Sequence, residues 1–115
     1  MNKETKIIFS SEAKEVYDLL SNRTGKKEQM LLKAINHKLE LVEKNIYYGN
    51  VISKKLIPSE YKIKYCATNL FHIELPCFWR LLYTLTAEGK IEIVAFILDI
   101  INHKEYNKKF RYRKK

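Results

Sequence analysis

The spacing of apolar positions changes along this chain, and each change marks an element. Lys6-Ile7-Ile8-Phe9 reads as a short strand. Ser10 then suits a helix N-cap, with Glu12 in the first turn facing the positive end of the helix dipole. Ala13, Val16, Tyr17 and Leu20 fall at i, i+3, i+4 and i+7, which predicts a first helix running to about Leu20. Asn22 to Gly25 is a tight polar connection in which Thr24 is a candidate cap. In the second helix Leu31, Ile35, Leu39, Val42 and Ile46 form the apolar stripe. Lys27, Lys33, Lys38, Glu40 and Lys44 take the other faces, and His37 is expected to face solvent. Gly49 is expected to end this helix in left-handed C-cap geometry. Two amphipathic helices joined by so short a link predict an antiparallel hairpin.

Beyond Gly49 the period of 3.6 is lost. Asn50 to Pro58 reads as extended or irregular, and Pro58 suits the first position of a short helix over Ser59 to Tyr65, with a loop as the alternative. Three apolar runs follow: Leu70 to Cys77 ending in Pro-Cys, Phe78 to Leu85, and Ile91 to Ile101 after a turn at Thr86-Ala87-Glu88-Gly89. Their β-branched and aromatic content, with Pro and Gly at the reversals, predicts a three-stranded meander. The last run is interrupted only by Glu92 and Asp99, as in a strand covered on both faces. Its free edge needs a cover, and the N-terminal strand is the one left to supply it. The expected fold is therefore α+β: β-α-α-(short α)-β-β-β, a four-stranded, mainly antiparallel sheet of order 1-4-3-2 with the helical hairpin on one face. If Pro76-Cys77 is a two-residue turn, Arg80 sits beside Ile73 and, on the other neighbour, roughly Ala95.

Composition narrows the class. A chain of 115 residues reads as one domain able to fold alone. No apolar run has the roughly 20 residues of a membrane span, and Met1-Asn2-Lys3-Glu4 lacks a signal-peptide core, so a soluble cytosolic protein is expected. Cys66 and Cys77 are too few for a disulfide framework and fit a reducing compartment. A zinc site from Cys66, His72 and Cys77 lacks paired-ligand spacing. With no glycine-rich phosphate loop or nucleotide signature either, neither a metal nor a cofactor is expected. Formal charge is +9, and from Asn102 onward seven Lys/Arg stand against one Glu. That basic C-terminal tail, about 102–115, suits a phosphate backbone or an acidic partner, or serves only for solubility. Arg80 is the exception inside the sheet: a guanidinium in apolar company must meet an anion or reach solvent. A salt bridge to Glu74 or Asp99, snorkelling off the sheet, and ligation of a phosphate are its three possible explanations.

Several segments together carry a family likeness. Trp79-Arg80-Leu81-Leu82-Tyr83 on the middle strand and His103-Lys104-Glu105-Tyr106 after the last resemble the RelE/ParE superfamily of toxins from type II toxin-antitoxin pairs. Lys54-Lys55-Leu56-Ile57-Pro58, Asn69-Leu70-Phe71, Glu74-Leu75-Pro76 and Ile97-Leu98-Asp99-Ile100 are similar to an archaeal RelE-like branch. The resemblance implies a metal-independent endoribonuclease that cuts mRNA on the ribosome and is silenced by a cognate antitoxin protein. It also admits a catalytically silent RNA- or antitoxin-binding module and a ParE-like gyrase inhibitor. Residue by residue, it implies that Arg80 stabilises the phosphorane and that His103 or Tyr106 serves as acid, base or stacking platform. The strand-two lysines of some members are replaced here by Phe71, His72, Ile73 and Glu74, and Lys104 stands where arginine is usual. Glu74 or His72 is then the candidate base, and Lys54, Lys55, Lys62, Lys64, Lys104, Lys108, Lys109 and Arg111 are candidate phosphate contacts.

Overall fold

In the computed structural model residues 4–88 and 92–110 are described. Gly89 and Ile91 of the expected last hairpin, and Arg111 of the expected phosphate contacts, lie outside the described residues. The elements in chain order are β1 (Glu4–Phe9), α1 (Ser11–Ser21), α2 (Lys26–Lys44), β2 (Asn50–Val51), α3 (Ser59–Tyr65), β3 (Phe71–Leu75), β4 (Trp79–Glu88), β5 (Glu92–Asn102) and α4 (His103–Phe110). A single 3-10 turn precedes α3 at Lys54–Leu56, and a left-handed turn precedes β4 at Pro76–Phe78.

The sheet has five strands in the order β1-β5-β4-β3-β2. Four of them follow the expected 1-4-3-2 order; the fifth, β2, adds a two-residue edge beside β3 (Asn50 opposite His72, Val51 opposite Phe71). β1 runs parallel to β5 while the β3–β4 and β4–β5 pairs are antiparallel, so the sheet is mixed. That parallel pair closes over every element between them, because a parallel neighbour needs a long crossover. Thr86, expected in the turn, instead continues β4, whose pairing extends to Glu88 opposite Glu92.

Both faces of the sheet are covered. On one, Ala13 and Leu20 of α1 and Leu31, Ile35 and Val42 of α2 pack against Phe71, Ile73, Leu75, Leu81, Tyr83 and Ile97. On the other, Tyr61 of α3 and Tyr106 and Phe110 of α4 pack against Leu70, Leu82, Leu98 and Ile101. The expected cationic tail is therefore, as far as Phe110, a short amphipathic helix with two buried aromatic rings. No helix among the described residues is long and apolar enough to cross a membrane.

Ser10 ties helix to sheet. Its hydroxyl accepts the Ala13 N–H at 3.0 Å, the expected N-cap, and donates to the Leu98 carbonyl at 2.7 Å. Leu98 is the extra residue of a bulge: Leu82 pairs with Asp99 and Tyr83 with Ile97, so Leu98 has no partner opposite it on β4. Ser10 thus satisfies both a helix terminus and an irregular strand. Ser10→Ala is expected to cost about 2 kcal/mol, the sum of a lost cap and an orphaned carbonyl, read as a lower urea midpoint at unchanged m-value.

Two cap expectations are corrected. Gly25, not Thr24, occupies the N-cap of α2, and it makes no side-chain cap bond. α2 ends at Lys44 with Asn45 extended, so Ile46, expected in its apolar stripe, lies beyond the helix and Gly49 is not its C-cap. Gly49 is needed for space: a Cβ there would stand 2.9 Å from the Tyr83 ring and 3.2 Å from the His72 carbonyl. The close approach lets its N–H donate to the Tyr83 hydroxyl at 2.9 Å, which in turn donates to the Ile46 carbonyl at 2.8 Å. His37 is exposed, as its place on the helix predicts.

Candidate nucleic-acid interface

The β3–β4 connection decides where Arg80 goes. Pro76, Cys77 and Phe78 form the connection, a left-handed turn with Cys77 at φ 61 and Phe78 at φ 62. Leu75 pairs with Trp79 and Glu74 with Arg80. A two-residue turn would have set Arg80 opposite Ile73, on the face beneath the helical hairpin. One additional residue reverses this, because side chains alternate faces along a strand. On the other side Arg80 lies opposite Ile101, not near Ala95. The guanidinium therefore projects from the face of α3 and α4, together with His72 and Glu74.

There it meets an anion, a ring and an imidazole. Arg80 Nη2 lies 3.7 Å from Glu74 Oε2, and the arginine side chain is 20% exposed against 70% for the glutamate. Its guanidinium carbon is 4.6 Å from the centroid of the Tyr106 ring, within cation–π range. Tyr106 is only 5% exposed, held between Arg80 above and Phe110, whose ring stacks on it at 4.4 Å. The His72 ring is 6.1 Å from that of Tyr106. Arg80 Nε and His72 Nδ1 are both buried and make no hydrogen bond among the described residues. Burial, reinforced by the Arg80 charge, holds the His72 imidazole below its usual range and so favours its neutral form.

α4 begins at the same end. Trp79 pairs with Asn102, whose side chain accepts the Glu105 N–H at 2.9 Å and caps α4. His103 is exposed; its Nε2 is 3.1 Å from Asn107 Nδ2 and its ring is 6.1 Å from that of Phe78. Arg80, Tyr106 and both candidate bases, Glu74 and His72, are thus brought together, and His103 stands at the margin. The alternation of β3 was the signal for His72, two residues from Glu74 and hence on its face.

The expected phosphate-binding lysines are dispersed. Lys64 pairs with Glu12, which also accepts the Tyr65 hydroxyl at 2.7 Å; the ammonium and that hydroxyl hold the Glu12 carboxyl down at about 2. Glu12 opens α1 just after β1, at the sheet edge two strand spacings, roughly 10 Å, from the β4 strand that carries Arg80, so Lys64 is committed to a partner away from Arg80. Lys109 lies 2.7 Å from Glu60 and 3.9 Å from Asp99, fastening α4 to α3. Lys55 shares with Lys109 and Phe110 a pocket of about 430 Å³. Lys54, Lys62, Lys104 and Lys108 are exposed.

Beneath Lys109, Asp99 is buried and accepts the Tyr61 hydroxyl at 2.6 Å. Burial raises its carboxyl above the usual range, opposed by the Tyr61 hydrogen bond and the Lys109 charge. A raised folded-state value means that Asp99 contributes stability below its unfolded value, near 4, and loses it as pH rises. Asp99→Asn is accordingly expected to melt higher than the wild type at pH 7, with the difference closing as the buffer is taken below about pH 4. Equal melting temperatures at both values would show that Lys109 and Tyr61 fully compensate the charge.

The chain matches no protein-family model, and no curated protein matches it.

Proposed function

We propose that this protein is a RelE-like toxin, a metal-independent endoribonuclease that cuts mRNA on the ribosome and is held silent by an antitoxin. The observation that carries the reading is the position of Arg80: on the sheet face away from the helical hairpin, seated on Tyr106, with Glu74 and the neutral His72 beside it. The strand order and the sequence likeness of the Arg80 and His103 segments add to it.

The chemistry needs a cation over the phosphate, an acceptor for the 2′-hydroxyl proton and a donor to the leaving oxygen. As the 2′-oxygen attacks the adjacent phosphorus, its proton passes to Glu74 or His72. The P–O5′ bond breaks, leaving a 2′,3′-cyclic phosphate, and O5′ takes a proton to become a 5′-hydroxyl; His103 is the donor in this scheme. The rigid fork of Arg80 bears the charge of the phosphorane. Tyr106, buried under that fork, orients it. Lys54, Lys55, Lys104 and Lys108 meet flanking phosphates.

One observation favours a second reading. Arg80 is already neutralised in part by Glu74 and packed on Tyr106, as in a structural ion pair. A silent binding module would keep that pair and cut nothing. Induction of the wild type and of Arg80→Ala in growing cells, with primer extension on ribosome-bound message, separates the two. Growth arrest with cuts inside codons for the wild type alone supports the nuclease; equal growth and uncut message for both removes it.

A further inference from the structure

Phe78 combines two features that stability alone disfavours. Its φ of 62 follows another left-handed residue, Cys77 at 61, in a region that side-chain-bearing residues rarely adopt. Its ring is 78% exposed, so little packing offsets the conformation. A turn chosen for folding would carry Gly or Asn there. Strain concentrated next to a site of chemistry is a reason to ask what the strained residue does.

Its surroundings give the answer. The Trp79–Asn102 pair brings the start of α4 beside the turn, and the Phe78 ring stands 6.1 Å from that of His103 at 55°. Arg80 follows two residues later, as the second residue of β4. The apolar cavity on the hairpin side of this turn takes Cys77 and Trp79 but not Phe78. The phenyl ring therefore stands apart from that apolar cavity, beside the His103 imidazole and two residues before Arg80 in the chain. A protein-binding patch would need contiguous apolar surface; an exposed ring beside a hydrogen-bonding imidazole, on the turn that leads into Arg80, suits a nucleobase next to its phosphate.

We infer that Phe78, flanked by His103, is a base-stacking platform for single-stranded RNA, seating the nucleobase adjacent to the phosphate that Arg80 receives. The inference rests on the reading of Arg80 as a phosphate ligand and adds a substrate contact that this reading does not contain.

Fluorescence anisotropy with a short 2′-O-methyl oligoribonucleotide, which cannot be cleaved, tests it in three salt concentrations. Phe78→Ala is expected to weaken binding by about 5- to 100-fold with an unchanged salt dependence, because stacking releases no counterions. Phe78→Trp should bind at least as tightly as the wild type. Phe78→Gly should lose binding as alanine does while melting several degrees higher, since glycine accepts the turn without strain. Arg80→Ala should instead lower the salt slope by about one. Wild-type affinity in Phe78→Ala, with Arg80→Ala weakened, would overturn the platform and leave the phosphate reading standing. Absence of RNA binding by the wild type would overturn both. Loss of a protein partner by Phe78→Ala, with RNA binding intact, would make the ring a protein contact and overturn the inference.

Discussion

Arg80→Ala is expected to slow cleavage of ribosome-bound message by about 10²–10³-fold, the usual consequence of removing one preorganised donor from a developing oxyanion. Arg80→Lys should recover little of this. The ammonium keeps the charge but presents no planar fork and fits the Tyr106 ring less well. Folding should change far less than activity. The partner left behind, Glu74, is mostly exposed and returns to water, and the buried Nε that makes no hydrogen bond among the described residues is removed with the side chain. Matched melting curves with a rate difference of two decades or more would assign Arg80 to catalysis. A parallel loss of both would assign it to structure. Retention of the wild-type rate would dismiss it from the reaction.

Tyr106 is expected to divide between ring and hydroxyl. Tyr106→Ala removes the surface under Arg80 and the stack on Phe110, and should destabilise the protein by about 3–5 kcal/mol, as aromatic-to-alanine changes in cores do. Among the described residues α4 is fastened by Tyr106, Phe110 and the pairing of Lys109 with Glu60 and Asp99, so this loss should loosen the helix before the sheet. Tyr106→Phe preserves both stacking contacts and should leave cleavage within a few-fold of wild type. The physical reason is burial: at 5% exposure the ring positions a guanidinium more readily than its hydroxyl reaches a substrate oxygen. A loss in Tyr106→Phe as deep as that of Arg80→Ala, with folding intact, would instead make the hydroxyl the proton donor and displace His103 from that role.

The candidate site was legible in its residue types and illegible in its geometry. Arg80 stood out because a charge inside an apolar strand demands an explanation, and Glu74 lay one turn earlier with the opposite sign. Their pairing was foreseen as one of three possibilities, yet the expected two-residue turn set Arg80 opposite Ile73. His103 and Tyr106 were singled out from the likeness of their segment, but nothing in an eight-residue basic stretch reveals that Tyr106 and Phe110 close over the sheet. The lysines show the limit most clearly. Their charge is evident in the sequence, whereas the commitment of Lys64 to Glu12 and of Lys109 to Glu60 depends on elements more than forty residues apart. Phe78 looked like the first residue of an apolar strand and is an exposed ring in a left-handed turn.

Local patterning determined what is local: the Ser10 cap, the apolar stripes of α1 and α2, the short α3 after Pro58, and apolar runs in the sequence order of β3, β4 and β5. Those signals need only neighbouring residues, since helix and strand periods repeat within a few positions. The edge strand β2, the bulge at Leu98, the three-residue turn and the docking of α4 were decided by pairing across the sheet. A strand has two faces, and one residue more or less in a connection exchanges them. That single residue in the Pro76–Phe78 turn moves Arg80 from the face under the helical hairpin to the face it shares with Glu74, His72 and Tyr106.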